Sequence, residues 1–312
     1  MESLANLKRA AEEEMARLEA RLGEAVPKDW VALGPDAESG SEKYTWVPEN
    51  IEKINRRLRA SRPARLHDFN RYVLLHHIAR FSLEQSRYRL PHSIKALYIG
   101  QIERILHQIE SFEDGFFDIA NDGFLKDLAI LTHRLIPVGA EFAEGGAGIP
   151  RRLIFTGGPK QMLAALWLLI FRCHGHAPFF ALHAHTLSLE DFNLEGWRKT
   201  YHRLAELLDL NPQIRGWLSA SWFLDPALET ISPHLVHLRE VPTENGAALL
   251  FVSRDREGGS GALSNSATRR RLFAEGTYVP AIYMRIWPRK ALIAWSRGHR
   301  GELKPLVGHQ ET

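Results

Sequence analysis

The chain has 312 residues, of which 45% are hydrophobic and 25% charged, an ordinary globular composition with enough length for one large domain or two smaller ones. Its net charge of +3 is too mild for a dedicated nucleic-acid binder, which concentrates basic residues on one face. The only dense cluster is Arg269-Arg270-Arg271, followed at wider spacing by Arg285, Arg289, Lys290, Arg297 and Arg300. A single cysteine, Cys173, excludes an intrachain disulfide and fits a reducing compartment. Leu4 to Leu22 is dotted with Glu, Lys and Arg, unlike a signal peptide. The longest apolar run, Met162 to Phe171, falls well short of the ~20 residues needed to span a bilayer. These features predict a cytoplasmic protein with no membrane partner.

Residues 1–24 predict an amphipathic helix. Leu4, Leu7, Ala11, Met15, Leu18 and Leu22 recur at spacings of three and four, a seam that docks on its own domain or pairs with a second copy. Residues 25–48, with Pro27, Gly34, Pro35, Gly40 and Pro48, read as a linker or surface loop. Residues 49–149 read as a mostly helical region, interrupted by Pro63 and Pro91, with stripes at Ile94, Leu97, Tyr98, Ile105, Leu106 and Ile109 and at Phe124, Leu128, Leu131 and Leu135. Asp114, Asp118, Asp122 and Asp127 do not follow calcium-loop spacing and read as caps and turns. A turn-rich junction at residues 145–150 opens a mixed α/β domain over 150–298, with a tail over 299–312.

In that domain the expected strands are Arg152–Thr156, Phe179–Thr186, Ile214–Phe223, Ala247–Ser253, Tyr278–Trp287 and Ala291–Trp295. The expected helices are a buried one at Gln161–Phe171, an amphipathic one at Leu194–Leu208 and a short one at Pro233–Arg239. Ala247–Val252 is apolar on both faces and reads as a buried central strand. The fold class is therefore α/β (α+β): a helical N-terminal region, then a mixed sheet with helices on its faces.

Strand alternation places His183 and His185 on one face of their strand, Ser219 and Ser221 on one face of the next, and Tyr283 and Arg285 on one face of a third. If these faces align, they line one cleft with Asp225 at its mouth, a set of groups suited to acid–base chemistry. The H-x-H pair also suits two ligands of one zinc or iron ion, with His174, His176, Glu190 or Asp191 completing the site; this is the alternative reading, a metal-dependent hydrolase or oxygenase. Cys173 follows the most apolar helix and reads as a buried thiol.

The stretch Arg256-Glu257-Gly258-Gly259-Ser260-Gly261-Ala262 has the form R-x-x-G-x-G-A and precedes a short basic helix. It resembles the pyrophosphate loop of the GNAT acyltransferase superfamily. The order of strands and helices over residues ~150–298 is also similar to the C-terminal half of a GNAT domain, in which the splayed pair of central strands receives the pantetheine arm. The two placements conflict: with 179–186 as the first splayed strand, the Gly-rich loop follows the wrong strand. The resemblance implies an acyl or aminoacyl transferase that moves a group from an acyl-CoA or an RNA-borne donor to an amine on a small-molecule substrate. His183 or His185 would be the general base, with Ser221, Asp225 and Tyr283 as further catalytic groups. Gly259, Gly261, Arg269, Arg270, Arg271 and Arg285 would hold the donor. A third reading is a non-enzymatic scaffold that associates through residues 3–24.

Overall fold

A computed structural model describes residues 3–23, 43–187 and 190–299. Most of the expected linker and tail lie outside these residues, as does Arg300. The protein is a mixed α/β chain that divides into two compact units, one of residues 1–145 with 184–189, the other of 146–183 with 190–312.

The first unit is helical: α1 (Leu4–Leu22), α2 (Glu49–Ser61), α3 (Leu66–Ala79), α4 (His92–Ser111) and α5 (Asp122–Leu131). The Ser3 side chain caps α1, and Leu7, Ala11, Leu18 and Leu22 of its seam are buried, with α3 as its main neighbour. A partner helix would need those same residues. α3 is the centre of the unit; Phe69, Tyr72, Val73, Leu74, Leu75 and Ile78 are buried around nearly its whole circumference. α4 buries Ile94, Tyr98, Ile102, Ile105 and Ile109 along one stripe. The region is not wholly helical, however. β1 (Leu135–Pro137) and β2 (Phe142–Ala147) form an antiparallel hairpin, pairing Leu135 with Glu144 and Pro137 with Phe142. The glycines that read as a junction are partly strand, and a Cβ on Gly145 would overlap the Tyr88 ring.

The second unit opens with α6 (Leu153–Thr156), where a strand is expected, and α7 (Gly158–Trp167), which runs into a π-helical turn at Leu168–Arg172. Then follow β3 (Phe179–His183), α8 (Leu194–Leu210), β4 (Gly216–Ser221), α9 (Leu228–Ile231), α10 (His237–Glu244), β5 (Ala248–Arg254), α11 (Ala267–Ala274), β6 (Ala281–Pro288) and α12 (Arg289–Gly298). The last replaces the strand expected at Ala291–Trp295; Pro288 ends β6 and starts the helix at once. Within this unit the strands run β3, β4, β6, β5. β3 is parallel to β4, and the other pairings are antiparallel.

β5 is thus bonded to β6 on one side only among these four strands, and of its residues only Leu250 is fully buried. It is not the buried central strand its composition implies. Ile149, Leu153, Ala165, Leu168, Phe179, Ala181, Leu218, Leu250, Met284 and Ile286 form the core between α6–α7 and one sheet face. On the opposite face Trp197 and Tyr201 of α8 join Trp217, Trp287 and Trp295 in an aromatic cluster. Gln161 of α7 donates to the carbonyls of Leu153 and Phe251 at 2.9 Å, and its side-chain oxygen accepts the Phe251 N–H at 2.7 Å. That bond network fixes α7 against β5 where the strand carries a bulge between Phe251 and Ser253.

The helix expected to be buried, Gln161–Phe171, is buried on one side only. Leu163, Trp167, Ile170 and Phe171 are each more than half exposed.

Candidate functional site

β4 starts at Gly216, whose φ of +155° and approach to β6 both need glycine: a Cβ there would lie 2.3 Å from the Trp287 carbonyl oxygen. The tight β4–β6 pairing that follows sets Ser219 opposite Arg285 and Ser221 opposite Tyr283. Opposed residues share a sheet face, so these four side chains lie on one side, with Trp217 and Trp287. β3 pairs Phe180 with Trp217 and Ala181 with Leu218. By alternation His183 follows Ala181 to the other face. The polar faces therefore do not converge on a single cleft: Ser219, Ser221, Tyr283 and Arg285 stay together, and His183 lies across the sheet from them.

His185 is displaced further, because β3 ends at His183 and the next residues belong to the first unit. There the imidazole is fully buried beside α5. Its Nε2–H donates to Asp127 at 3.1 Å, and its Nδ1 accepts the Leu187 N–H at 3.2 Å. Asp127, also fully buried, accepts from Arg104 at 2.5 Å. Lys126 binds the Ala184 carbonyl at 2.7 Å. Both ring nitrogens of His185 are engaged, which leaves no lone pair for a metal. Asp191, an expected third ligand, sits 3.7 Å from Arg203. No group of three or more metal-ligating side chains occurs among the described residues.

Arg285 is buried beneath the sheet. Its guanidinium donates to Ser219 at 3.1 Å, to Tyr201 at 3.2 Å and to the Leu238 carbonyl, and stacks 4.4 Å from the Trp217 ring centre. Among the described residues no carboxylate pairs with it; aromatic faces and carbonyl or hydroxyl oxygens balance its charge. It holds the sheet to α8 and α10 and does not reach a ligand. Asp225 is similarly engaged: its two oxygens accept the N–H groups of Ala227 and Ala281 at 3.0 and 2.9 Å, capping a turn and anchoring the start of β6.

Ser221 and Tyr283 remain as half-buried hydroxyls at the carboxyl end of β4. The Ser221 oxygen accepts the Phe223 N–H at 3.2 Å, so its own proton is free to donate. Burial and then the Asp225 charge push the Tyr283 phenol above its ordinary value, so it keeps its proton at neutral pH.

The Gly-rich loop is organised around a carboxylate of the chain itself. Asp255 accepts the N–H groups of Gly259 at 3.1 Å and Ser260 at 2.7 Å. Burial opposes ionisation of Asp255, but the Ser260 hydroxyl and the loop amides outweigh it and hold its carboxyl below the usual range. The amides expected to cradle a phosphate are thus already occupied by an anion. Gly261 lies further along this loop with φ +81°. Arg269 is buried, bonded to the Ala262 carbonyl at 2.6 Å and Ser232 at 2.8 Å, and lies over Trp222. Arg270 is exposed and caps the carbonyls of Leu263 and Ser264, whereas Arg271 is exposed near Glu275. Burial pushes the Cys173 thiol up to about 11, which keeps it inert.

The β3–β4 ladder is short. The β3–β4 register covers two positions, Phe180 to Ala181 against Trp217 to Leu218, whereas β4 pairs with β6 over six. β3 continues through His183 and β4 through Ser221 beyond their last shared pair. Toward their carboxyl ends the parallel strands are no longer paired in register, with His183 ending one and Ser221, opposite Tyr283, ending the other. No protein-family model, curated relative or solved structure matches the chain.

Proposed function

We propose that the chain is an acyltransferase that moves an acyl group from a CoA-type donor to an amine, using the carboxyl ends of β3 and β4. One observation carries the reading: two parallel strands stop pairing after two positions, and their carboxyl ends present His183 on one sheet face and Ser221, opposite Tyr283, on the other. A thin acyl-pantetheine arm entering between such strands meets groups from both faces at the point where open α/β sheets bind ligands. The strand order β3, β4, β6, β5 with one parallel pair supports the GNAT resemblance.

In this reading the amine nitrogen bonds to the acyl carbon and the carbon–sulfur bond breaks. Ser221 donates its O–H to the acyl oxygen as charge develops there. Tyr283 gives its proton to the departing thiolate. His183 receives the proton that leaves the amine. Arg270 and Arg271 are the exposed cations available to the donor's phosphates; Arg269, Arg285 and the loop amides are committed elsewhere.

Titration calorimetry with acetyl-CoA and a long-chain acyl-CoA, followed by thiol release with a panel of amines, tests the proposal. The expected result is micromolar to millimolar binding, with kcat at least tenfold lower in Tyr283→Phe at unchanged thermal stability. Turnover with an aminoacylated RNA but not with CoA thioesters would move the donor to the RNA-borne class. No binding of either donor would overturn the reading.

A further inference from the structure

Between Glu144 and Glu190 the chain contains no acidic residue, but it carries Arg151, Arg152, Lys160 and Arg172. The centre of this stretch is α7 and its π-turn, apolar around nearly its whole circumference. A helix of that kind in water is ordinarily covered on every side. Here Ala165 and Leu168 turn into the sheet core, and the opposite face is bare. Leu163 is 65% exposed, Trp167 56%, Ile170 56% and Phe171 57%, at helical spacings of three and four; Phe155 of α6 is 73% exposed. Trp167 and Phe171 pack against each other with ring centres 4.5 Å apart and planes tilted by 37°. The four basic residues are exposed, and Arg151 borders the same groove as Ile170.

We infer that the α6–α7 face docks on the surface of an anionic lipid bilayer. Charge complementarity selects this occupant: a stretch with exposed apolar and aromatic anchors, exposed cations and no carboxylate of its own is the pattern of a helix lying in the headgroup boundary. The helical run from Gly158 to Arg172 is also too short to cross a bilayer. No helix among the described residues is long and apolar enough to do so. The expectation of no membrane partner rests on spanning length, and an interfacial helix does not need it. Beside the face, a groove of about 520 Å³ lined by Arg151, Ile154, Leu169, Ile170, His174 and His176 gives a phosphate headgroup both cationic and apolar walls. The inference does not rest on the acyltransferase reading.

Co-sedimentation of the full chain with vesicles of phosphatidylcholine alone, and with 30 mol% phosphatidylserine added, tests it. Binding is expected only to the anionic vesicles, weakening as salt rises. Trp167→Glu with Phe171→Glu should lower the partition coefficient at least tenfold with unchanged circular dichroism, because both side chains already face solvent. Arg151→Gln with Arg152→Gln should lower it by roughly fivefold per charge. Failure of the wild type to bind anionic vesicles at low salt would overturn the inference. So would binding by the double glutamate variant equal to that of the wild type. A wild-type dimer in sedimentation that Trp167→Glu dissociates, with no vesicle binding by either form, would assign the face to a second copy and overturn it as well.

Discussion

His133 gives the first unit a built-in sensitivity to acid. The residue follows α5 in the left-handed region, with φ 58°, and its ring is buried 4.7 Å from Phe81 and 5.4 Å from Tyr98, centre to centre. Burial pushes its pKa from 6.5 down to about 4, with the Ser82 backbone pulling weakly the other way. Between those values the unfolded chain binds a proton that the folded one refuses, so stability falls as pH drops through this window. Because the unfolded chain is only half protonated at pH 6.5 and the folded ring begins to charge near pH 4.5, acidification between these values costs about 2 kcal/mol at this residue, a large share of a typical ~5–15 kcal/mol stability. The assay is urea unfolding followed by circular dichroism at pH 7 and pH 4.5, on wild type and His133→Asn, since asparagine tolerates the left-handed backbone. The stability lost between the two pH values should shrink by about 2 kcal/mol in the variant, whatever its absolute stability. An equal loss in both proteins would refute the assignment. His76, pushed down to about 4 by burial and then by Arg80, and His77, pushed down to about 3 by burial, then His76, Arg134 and Arg80, act in the same direction; the variant should therefore remain partly acid-labile.

Three further outcomes follow from the contacts. Asp127→Asn removes the buried charge that Arg104 and His185 share and should cost about 3 kcal/mol, read as a lower urea midpoint. Arg285→Lys keeps the charge but not the planar fork that reaches Ser219, Tyr201 and Leu238 together. It should lose about 2–4 kcal/mol in the same assay, and a loss below ~1 kcal/mol would show that the stack on Trp217 is incidental. Asp255→Ala frees the Gly259 and Ser260 amides. Limited proteolysis should then cut residues 256–261 several-fold faster, and unchanged cleavage would mean that the carboxylate does not order the loop.

The sequence made the sheet faces and the amphipathic helices readable where each pattern reports a local period. Trp217, Ser219 and Ser221 do share a face, and Trp197, Tyr201, Leu204 and Leu208 of α8 are all buried. What failed depends on contacts distant along the chain. Alternation correctly orients residues only while the strand lasts. β3 stops at His183, and Asp127, 58 residues earlier, claims His185. The glycine-rich pattern marks amide donors, but nothing in it says that the acceptor is the chain's own Asp255 instead of a ligand. Composition alone reads α7 as buried, because a core helix and one lying against a lipid surface carry the same outward residues. Arg285 was legible as a polar group on a strand but not as the centre of an aromatic cage, which needs side chains from α8, β4 and β6.

The bond between Gln161 and β5 has a consequence beyond holding a helix in place. A strand with one open side offers its amides and carbonyls to any extended segment that drifts past, including the same strand of another molecule. At Phe251 both groups are already engaged, by an amide borne on a side chain that imitates the next strand for a single residue. The adjoining bulge breaks the regular spacing that a longer intruder would need. One glutamine thus serves as a stopper for the sheet at Phe251, and it does so only while α7 stays seated.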